Sequence, residues 1–324
     1  MAYYTTVMAN REELVGNIKQ FFSKHPSSHW ALKYDNGTTQ FVVAHKSKPV
    51  AIAIEAFHHS QTGHNMNING GTAWRSGFPG LENRRGLETT HHSRNSTGSA
   101  LHFPVYIHIF SNEELFGICL VNLSNHEPFY SIGSVATGIG SITAGDEAYF
   151  IGGDGVSSAT YRNKWRFCTQ SYLDKSSIVY SAANNKTYEM RLASEGNSSS
   201  RTILKCIYDA RNMNDTIYGY HQNNSESMSA YMRFKPSNTR LFMPWLLCAK
   251  QSNGRFAPEY SLNTLRITTI EDWVLADMPK VIEYRSRPWI VFQLTQFQRL
   301  KYGVAIQLES GDLPASSVIK GIAV

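Results

Sequence analysis

Twelve histidines are the side chains of this sequence best suited to metal chemistry, and five of them, His58, His59, His64, His91 and His92, fall near the two ends of one polar stretch. Imidazole binds zinc and copper well, but a metal centre needs several donors aimed at one point. The spacing here matches no standard zinc pattern. Neighbouring residues of an extended chain point to opposite faces, so neither His58-His59 nor His91-His92 can close on one ion. No Cys, Asp or Glu recurs beside them. Hydrogen bonding or an interface role is expected, with no bound metal, and His108 is expected on the polar face of a strand.

Nucleophilic and acid–base constellations are equally thin. Neither a G-x-S-x-G elbow nor an H-E-x-x-H helix is present. Gly138-Ile139-Gly140 and Gly152-Gly153-Asp154-Gly155 look like phosphate-cradling loops, yet each leads into turn and strand sequence. A phosphate site needs a helix N-terminus there, so turn chemistry is the reading. Glu113, Glu114, Asp146 and Glu147 are the carboxylates a glycosidase would have to oppose across a groove; their spacing gives no such pairing, and solvated acids are expected. The chain is therefore expected to be no enzyme and to carry no cofactor.

Composition narrows the class. Lysine plus arginine exceed aspartate plus glutamate by 31 to 25 over 324 residues, giving +6 with no basic run. A DNA-binding protein gathers its cations on one stripe, so contact with DNA is expected only where the chain lines a lumen. Cys119, Cys168, Cys206 and Cys248 are widely spaced and read as buried thiols of a reducing compartment. The first residues lack the charged and apolar regions of an export signal, and no run reaches bilayer length, so a soluble product made in the cytoplasm is expected.

The elements that would position these residues are mostly strands. Hydrophobic residues make up 42% and charged ones 17%, and the apolar share is rich in Tyr, Phe, Val and Ile, which suit pleated surfaces. One helix is predicted from Asn10, capped reciprocally with Glu13, with Leu14, Ile18, Phe21 and Phe22 on one face and a stop at His25-Pro26. Strands are predicted at Trp30 to Tyr34, Gln40 to His45 and Val50 to Phe57, the first two joined by an Asp35-Asn36-Gly37 turn. The third is apolar on both faces, so it is expected mid-sheet, covered on one side by the helix. Phe103 to Phe110, Leu115 to Val121 and Pro128 to Val135 come next as a hairpin and a third strand. Ser177 to Tyr180, Thr187 to Leu192, Ile203 to Tyr208, Ala230 to Phe234, Leu241 to Leu247, Val281 to Tyr284, Trp289 to Leu294 and Gly303 to Leu308 complete the series.

The fold class is therefore α+β and predominantly β, with antiparallel sheets or sandwich-like domains, one N-terminal amphipathic helix and a long inserted arm. A boundary is expected near residue 150, with an α+β domain over 1–150 and a β-rich one over 151–324. Residues 58–102 read as the arm, polar and glycine-rich, with Trp74, Phe78 and Leu81 as isolated apolar anchors. An irregular segment of that length is usually ordered by a partner. Trp74, Phe78, Leu81, Arg84 and Arg85 are the expected interface residues.

Three groups of motifs carry a resemblance. The chain opens with Met1-Ala2-Tyr3-Tyr4-Thr5 and a helix through Leu14, Ile18 and Phe21. Mid-chain it has Val105 to Phe110, Phe116 to Asn122 and Phe129-Tyr130-Ser131-Ile132-Gly133. Near its end stand Leu265 to Ile270, Trp289-Ile290-Val291-Phe292 and Tyr302-Gly303-Val304-Ala305-Ile306. In this pattern the chain resembles a family of virion structural proteins encoded among the head, neck and tail genes of tailed phages. Two departures stand out: Gln293 comes after Phe292 where the family has Pro, and the turn before Trp289 is Arg-Ser-Arg-Pro instead of glycine-rich.

The resemblance implies a virion location after assembly from the host cytoplasm, and no catalytic residues. The expected function is a neck, tail or baseplate component that closes into a symmetric ring with copies of itself and contacts other head–tail or tail proteins, without a membrane. A capsid decoration or glycan-binding β module is the second reading. A virion-borne hydrolase of cell wall or capsule is the third.

Overall fold

Tyrosine, threonine and valine dominate the first residues after Met1, and this β-prone segment forms an unforeseen first strand, β1 (Ala2–Met8). A computed structural model describes residues 2–59, 63–87, 101–124, 128–138, 148–153, 177–181, 186–189, 242–250, 256–269, 279–297, 300–308 and 318–319. After β1 come helix α1 (Leu14–Lys24), β2 (Trp30–Asp35), β3 (Gln40–His45), β4 (Ala51–His59) and β5 (Gly63–Gly71). Short β6 (Ala73–Trp74), β7 (Leu81–Glu82) and β8 (Arg85–Leu87) precede β9 (Val105–Ser111), β10 (Leu115–Asn122), β11 (Pro128–Gly138) and β12 (Ala148–Gly153). The second half contributes β13 (Ser177–Ser181), β14 (Lys186–Glu189), β15 (Phe242–Lys250) and β16 (Phe256–Thr269). It closes with β17 (Lys280–Tyr284), β18 (Arg287–Phe297), β19 (Leu300–Gln307) and β20 (Val318–Ile319). The predicted strands at 203–208 and 230–234 lie outside the described residues.

The described strands form one 13-stranded sheet, whose two parts are sheets I and III below, a 5-stranded sheet II, and the two-stranded β6–β7 hairpin. Sheet I runs β1-β9-β10-β11-β12-β13-β14, and sheet II runs β2-β3-β4-β5-β8. Sheet III runs β15-β16-β19-β18-β17-β20 and joins sheet I where the end of β11 pairs with β16, Thr137 opposite Ser261 and Gly138 opposite Tyr260. Pairing is antiparallel except between β17 and β20. The protein is thus predominantly β with one short N-terminal helix, as its composition predicts.

Sheets I and II share a core. Ile107, Ile109, Phe116, Ile118 and Leu120 of sheet I meet Phe41, Val43, Ile52, Ile54 and Ile68 of sheet II, with Leu14, Ile18 and Phe21 of α1 closing one end. Phe116 is the centre of this packing: the rings of Phe21, Phe22, Trp30 and Phe41 lie with centroids 6.0–6.2 Å from its own. The sheets approach closely at Gly133, where any Cβ would collide with the Ile52 side chain. A residue without a side chain is required there by contact.

Helix α1 keeps its predicted apolar face and its stop at His25, but the cap differs. Asn10 precedes a single 3-10 turn, Arg11–Glu13, and makes no side-chain bond to a backbone donor. Glu13 instead accepts the backbone N–H of Ala9 at 2.9 Å and the Asn10 amide at 3.4 Å. Neither half of the capping box is formed, because Glu13 reaches the N–H one residue before Asn10.

Strand β4 is central in sheet II, as its two apolar faces require, and its Ile52 and Ile54 share a buried cluster with Leu14, Ile18 and Phe21 of α1. One face meets sheet I through Ile52; over the other, β7 approaches β4 and β6 approaches β3. The Asp35-Asn36-Gly37 turn forms as predicted: the Asn36 side-chain oxygen accepts the N–H groups of Thr38, Thr39 and Gln40, and Gly37 takes φ +86°.

One expectation is corrected. Residues 58–102 are not an irregular arm through residue 87, because β5 pairs along the whole of β4 and β8 pairs with β5. Buried Met66 and Ile68 alternate with half-buried Asn67 and Asn69, the period of a half-buried strand written in polar residues. Phe150 lies inside β12, which pairs with β11 and β13. The second cluster of buried apolar residues, Ile282, Trp289, Val291 and Ala305, belongs to sheet III.

The β17–β18 turn carries its own prediction. Tyr284 pairs with Arg287, and between them Arg285 and Ser286 adopt φ +52° and +57°. This is the two-residue hairpin geometry that asparagine and glycine favour. Replacing Arg285 by Asn and Ser286 by Gly together should raise the unfolding free energy by about 1 kcal/mol. Denaturant titration reads the change.

Candidate functional site

The residues expected at an interface lie on the β6–β7 hairpin and its exit. Trp74 pairs with Leu81 across the hairpin, and the Trp74 indole N–H donates to the Gly77 carbonyl at 2.8 Å. Phe78 packs its ring 6.3 Å from that of Tyr34 in β2. Leu81 lies against the glycine at position 71. All three anchors are half-buried, while Arg75, Ser76 and Gly77 at the tip and Arg84 at the exit are exposed. Arg75 forms an ion pair with Glu82. Arg85 is in β8, paired with Gly70.

The hairpin is therefore a built element. One side covers sheet II, where Val42, Ala44, Ala51 and Ala53 are buried, and the other faces outward. The Tyr149 hydroxyl of β12 donates to the Asn83 carbonyl at 2.6 Å, fastening the hairpin's exit to sheet I. Aromatic rings half-exposed and flanked by arginines have the make-up of an association surface, whose energy is concentrated in a few Trp, Tyr and Arg side chains.

A second polar centre has no signal in the sequence. The β9–β10 turn, residues 111–114, has the composition of an ordinary hairpin connection, yet it ties all three sheets together. The Ser111 hydroxyl contacts that of Ser28 at 2.9 Å, the Trp30 indole donates to the Asn112 carbonyl at 3.1 Å, and His45 Nε2 contacts the Glu113 carbonyl at 2.9 Å. Asn112 Nδ2 donates to the Gln307 carbonyl of sheet III at 3.3 Å, while its Oδ1 accepts from the Glu114 and Leu115 N–H groups. Glu113 is exposed, as expected of a solvated acid. Glu114 instead accepts from the Asn263 amide at 3.2 Å, and burial raises its pKa. Asp146 and Glu147 lie outside the described residues.

The outer face of sheet I holds a buried row that runs from strand to strand. Thr5, His108, Cys119 and Tyr130 stand opposite one another on β1, β9, β10 and β11. His108 alternates with Ile107 and Ile109 as predicted, but its face is not open to water. Phe292 of β18 lies over it, with ring centroids 5.2 Å from His108, 5.7 Å from Phe110 and 6.2 Å from Tyr130. The Tyr3 hydroxyl and His108 Nδ1 are 2.9 Å apart, either able to donate according to the tautomer. His108 Nε2 has no hydrogen-bond partner among the described residues. Burial pushes the His108 pKa down to about 3 and raises that of Tyr3, so both are neutral at pH 7.

Cys119 is buried, as expected, and in no disulfide; Cys168, Cys206, His91 and His92 lie outside the described residues. Among the described residues no group of three or more His, Cys, Asp or Glu is arranged to hold a metal ion, and no helix is long and apolar enough to cross a membrane. Compared with known proteins, the sequence matches no family model and no curated protein.

Proposed function

We propose that this chain is a structural subunit of a tailed-phage particle, a neck, tail or baseplate component that closes into a symmetric ring and performs no reaction. The observation that carries this reading is the outward side of the β6–β7 hairpin: half-exposed Trp74 and Phe78, flanked by Arg75 and Arg84 and held in place from beneath by sheet II and Tyr149. Rigid aromatic anchors lose little conformational freedom on association. The motif resemblance at both ends and the middle of the chain supports the virion assignment.

Deleting the hairpin is no clean test, because residues 70–90 include the end of β5 and all of β8. The combined substitution Trp74→Ala and Arg84→Glu leaves both strands in place. It should reduce co-purification with particles about tenfold or more, the scale of losing a hot-spot anchor, while the unfolding midpoint changes little. Normal incorporation of the folded variant would contradict the proposal. The same aromatic surface is what a sugar ring stacks on, so the decoration reading makes a separate prediction. It requires the free chain to bind glycans through Trp74, and Trp74→Ala to abolish that binding.

A further inference from the structure

The β4–β5 hairpin brings together two histidines that are six positions apart in the chain. His58 and His64 stand directly opposite in the ladder, with ring centroids 4.8 Å apart and planes inclined at 69°. Sequence spacing conceals this pair, because residues opposed across antiparallel strands share one face, with Cβ atoms about 5 Å apart. A centroid separation of 4.8 Å matches two rings that each stand, through one nitrogen, a zinc–imidazole bond length of about 2 Å from a shared ion.

His64 is held for such a role. The ring of Phe103 packs edge-on against it at 4.8 Å, and its backbone bridges to Leu101, which fixes the segment carrying His102 alongside. His64 Nδ1 is buried and has no hydrogen-bond partner among the described residues. An unpartnered buried nitrogen is costly unless something occupies it. Glu12 and Arg11 lie within electrostatic reach of His64, but they pair with each other at 2.7 Å, so their charges largely offset.

We propose that His58 and His64 form a two-imidazole site for one divalent transition-metal ion of the zinc, nickel or copper kind. Two protein ligands leave the remaining coordination positions to water. The pair is on sheet II, whereas Trp74 and Phe78 belong to the separate β6–β7 hairpin, so metal binding and assembly through that hairpin can fail separately.

The test uses the full chain, without a histidine tag and stripped with a chelator, in equilibrium dialysis against zinc and, separately, nickel. The wild type should bind an ion that raises its unfolding midpoint as the free ion concentration rises. His58 is exposed, so His58→Ala should fold normally and weaken binding at least about tenfold, since loss of a mere outer-shell partner already costs that much. His64→Ala should do the same where it folds. Equal binding by wild type and His58→Ala, or no binding by the wild type at millimolar ion, would overturn the proposal.

Discussion

Replacing Phe116 by alanine should lower the unfolding free energy by about 3–5 kcal/mol, the range found when a large buried aromatic is truncated in a packed core. Phe116 is fully buried and lies against four rings that come from α1, β2 and β3, so its removal opens a cavity between three elements that cannot all move inward. The melting temperature should fall by roughly 10 °C. Phe116→Leu refills most of that space and should cost markedly less. Denaturant unfolding of both variants at neutral pH checks the result. A loss below about 1 kcal/mol for the alanine variant would mean that sheet I and sheet II do not pack as described.

Acid should destabilise the protein through His108. Its folded pKa, about 3, lies well below the ordinary value of 6.5, so between these limits the unfolded chain binds a proton that the folded chain refuses. The contribution of His108 is therefore fully present above pH 6.5 and declines as pH falls, by about 1.4 kcal/mol per unit, reaching about 4–5 kcal/mol near pH 3. At pH 5 the loss is already about 2 kcal/mol. Protonation would place a charge between sheet I and Phe292, with no anionic partner in the row of Thr5, Cys119 and Tyr130.

His64 acts in the same direction. Glu114 acts in the opposite one, because a raised carboxyl pKa adds stability as pH falls. The comparison that isolates His108 is therefore His108→Phe against wild type, across urea titrations from pH 7 to 4. The variant should lose close to one proton's worth of slope. It should also be less stable at pH 7, because the Tyr3 hydroxyl loses its partner. Parallel pH profiles for the two proteins would refute the burial of His108.

Local structure is legible where local chemistry decides it. The apolar stripe of α1, the Asn36 turn and the Phe103 to Val135 strands each carry a short-range signal, and each forms within a few residues of its predicted bounds. The differences arise where composition obscures periodicity. Strand β5 alternates Met66 and Ile68 with asparagines, and its polarity is that of a loop; β1 is rich in β-formers but short and terminal, with no turn signal to mark it as a strand.

Long-range pairing leaves no trace in the sequence. Nothing near Tyr3 announces that β1 pairs with β9 a hundred residues on, so neither the Tyr3–His108 bond nor the opposition of His108 and Cys119 can be foreseen. The covering of His108 by Phe292 depends on sheet III folding back over sheet I, which strand patterning does not encode. Of the expected interface residues, Trp74, Phe78 and Leu81 are legible as aromatic and apolar anchors in polar surroundings. The strands that hold them are not.

The proposal that this chain works by associating with copies of itself is tested most directly by the molar mass of the purified full-length protein, measured by light scattering over a range of concentrations and complemented by class averaging of the largest species. The expected result is a closed multimer, with a mass that is an integral multiple of the protomer and averages that show cyclic symmetry. A single protomer mass at every concentration, with no symmetric particle in the averages, would contradict it.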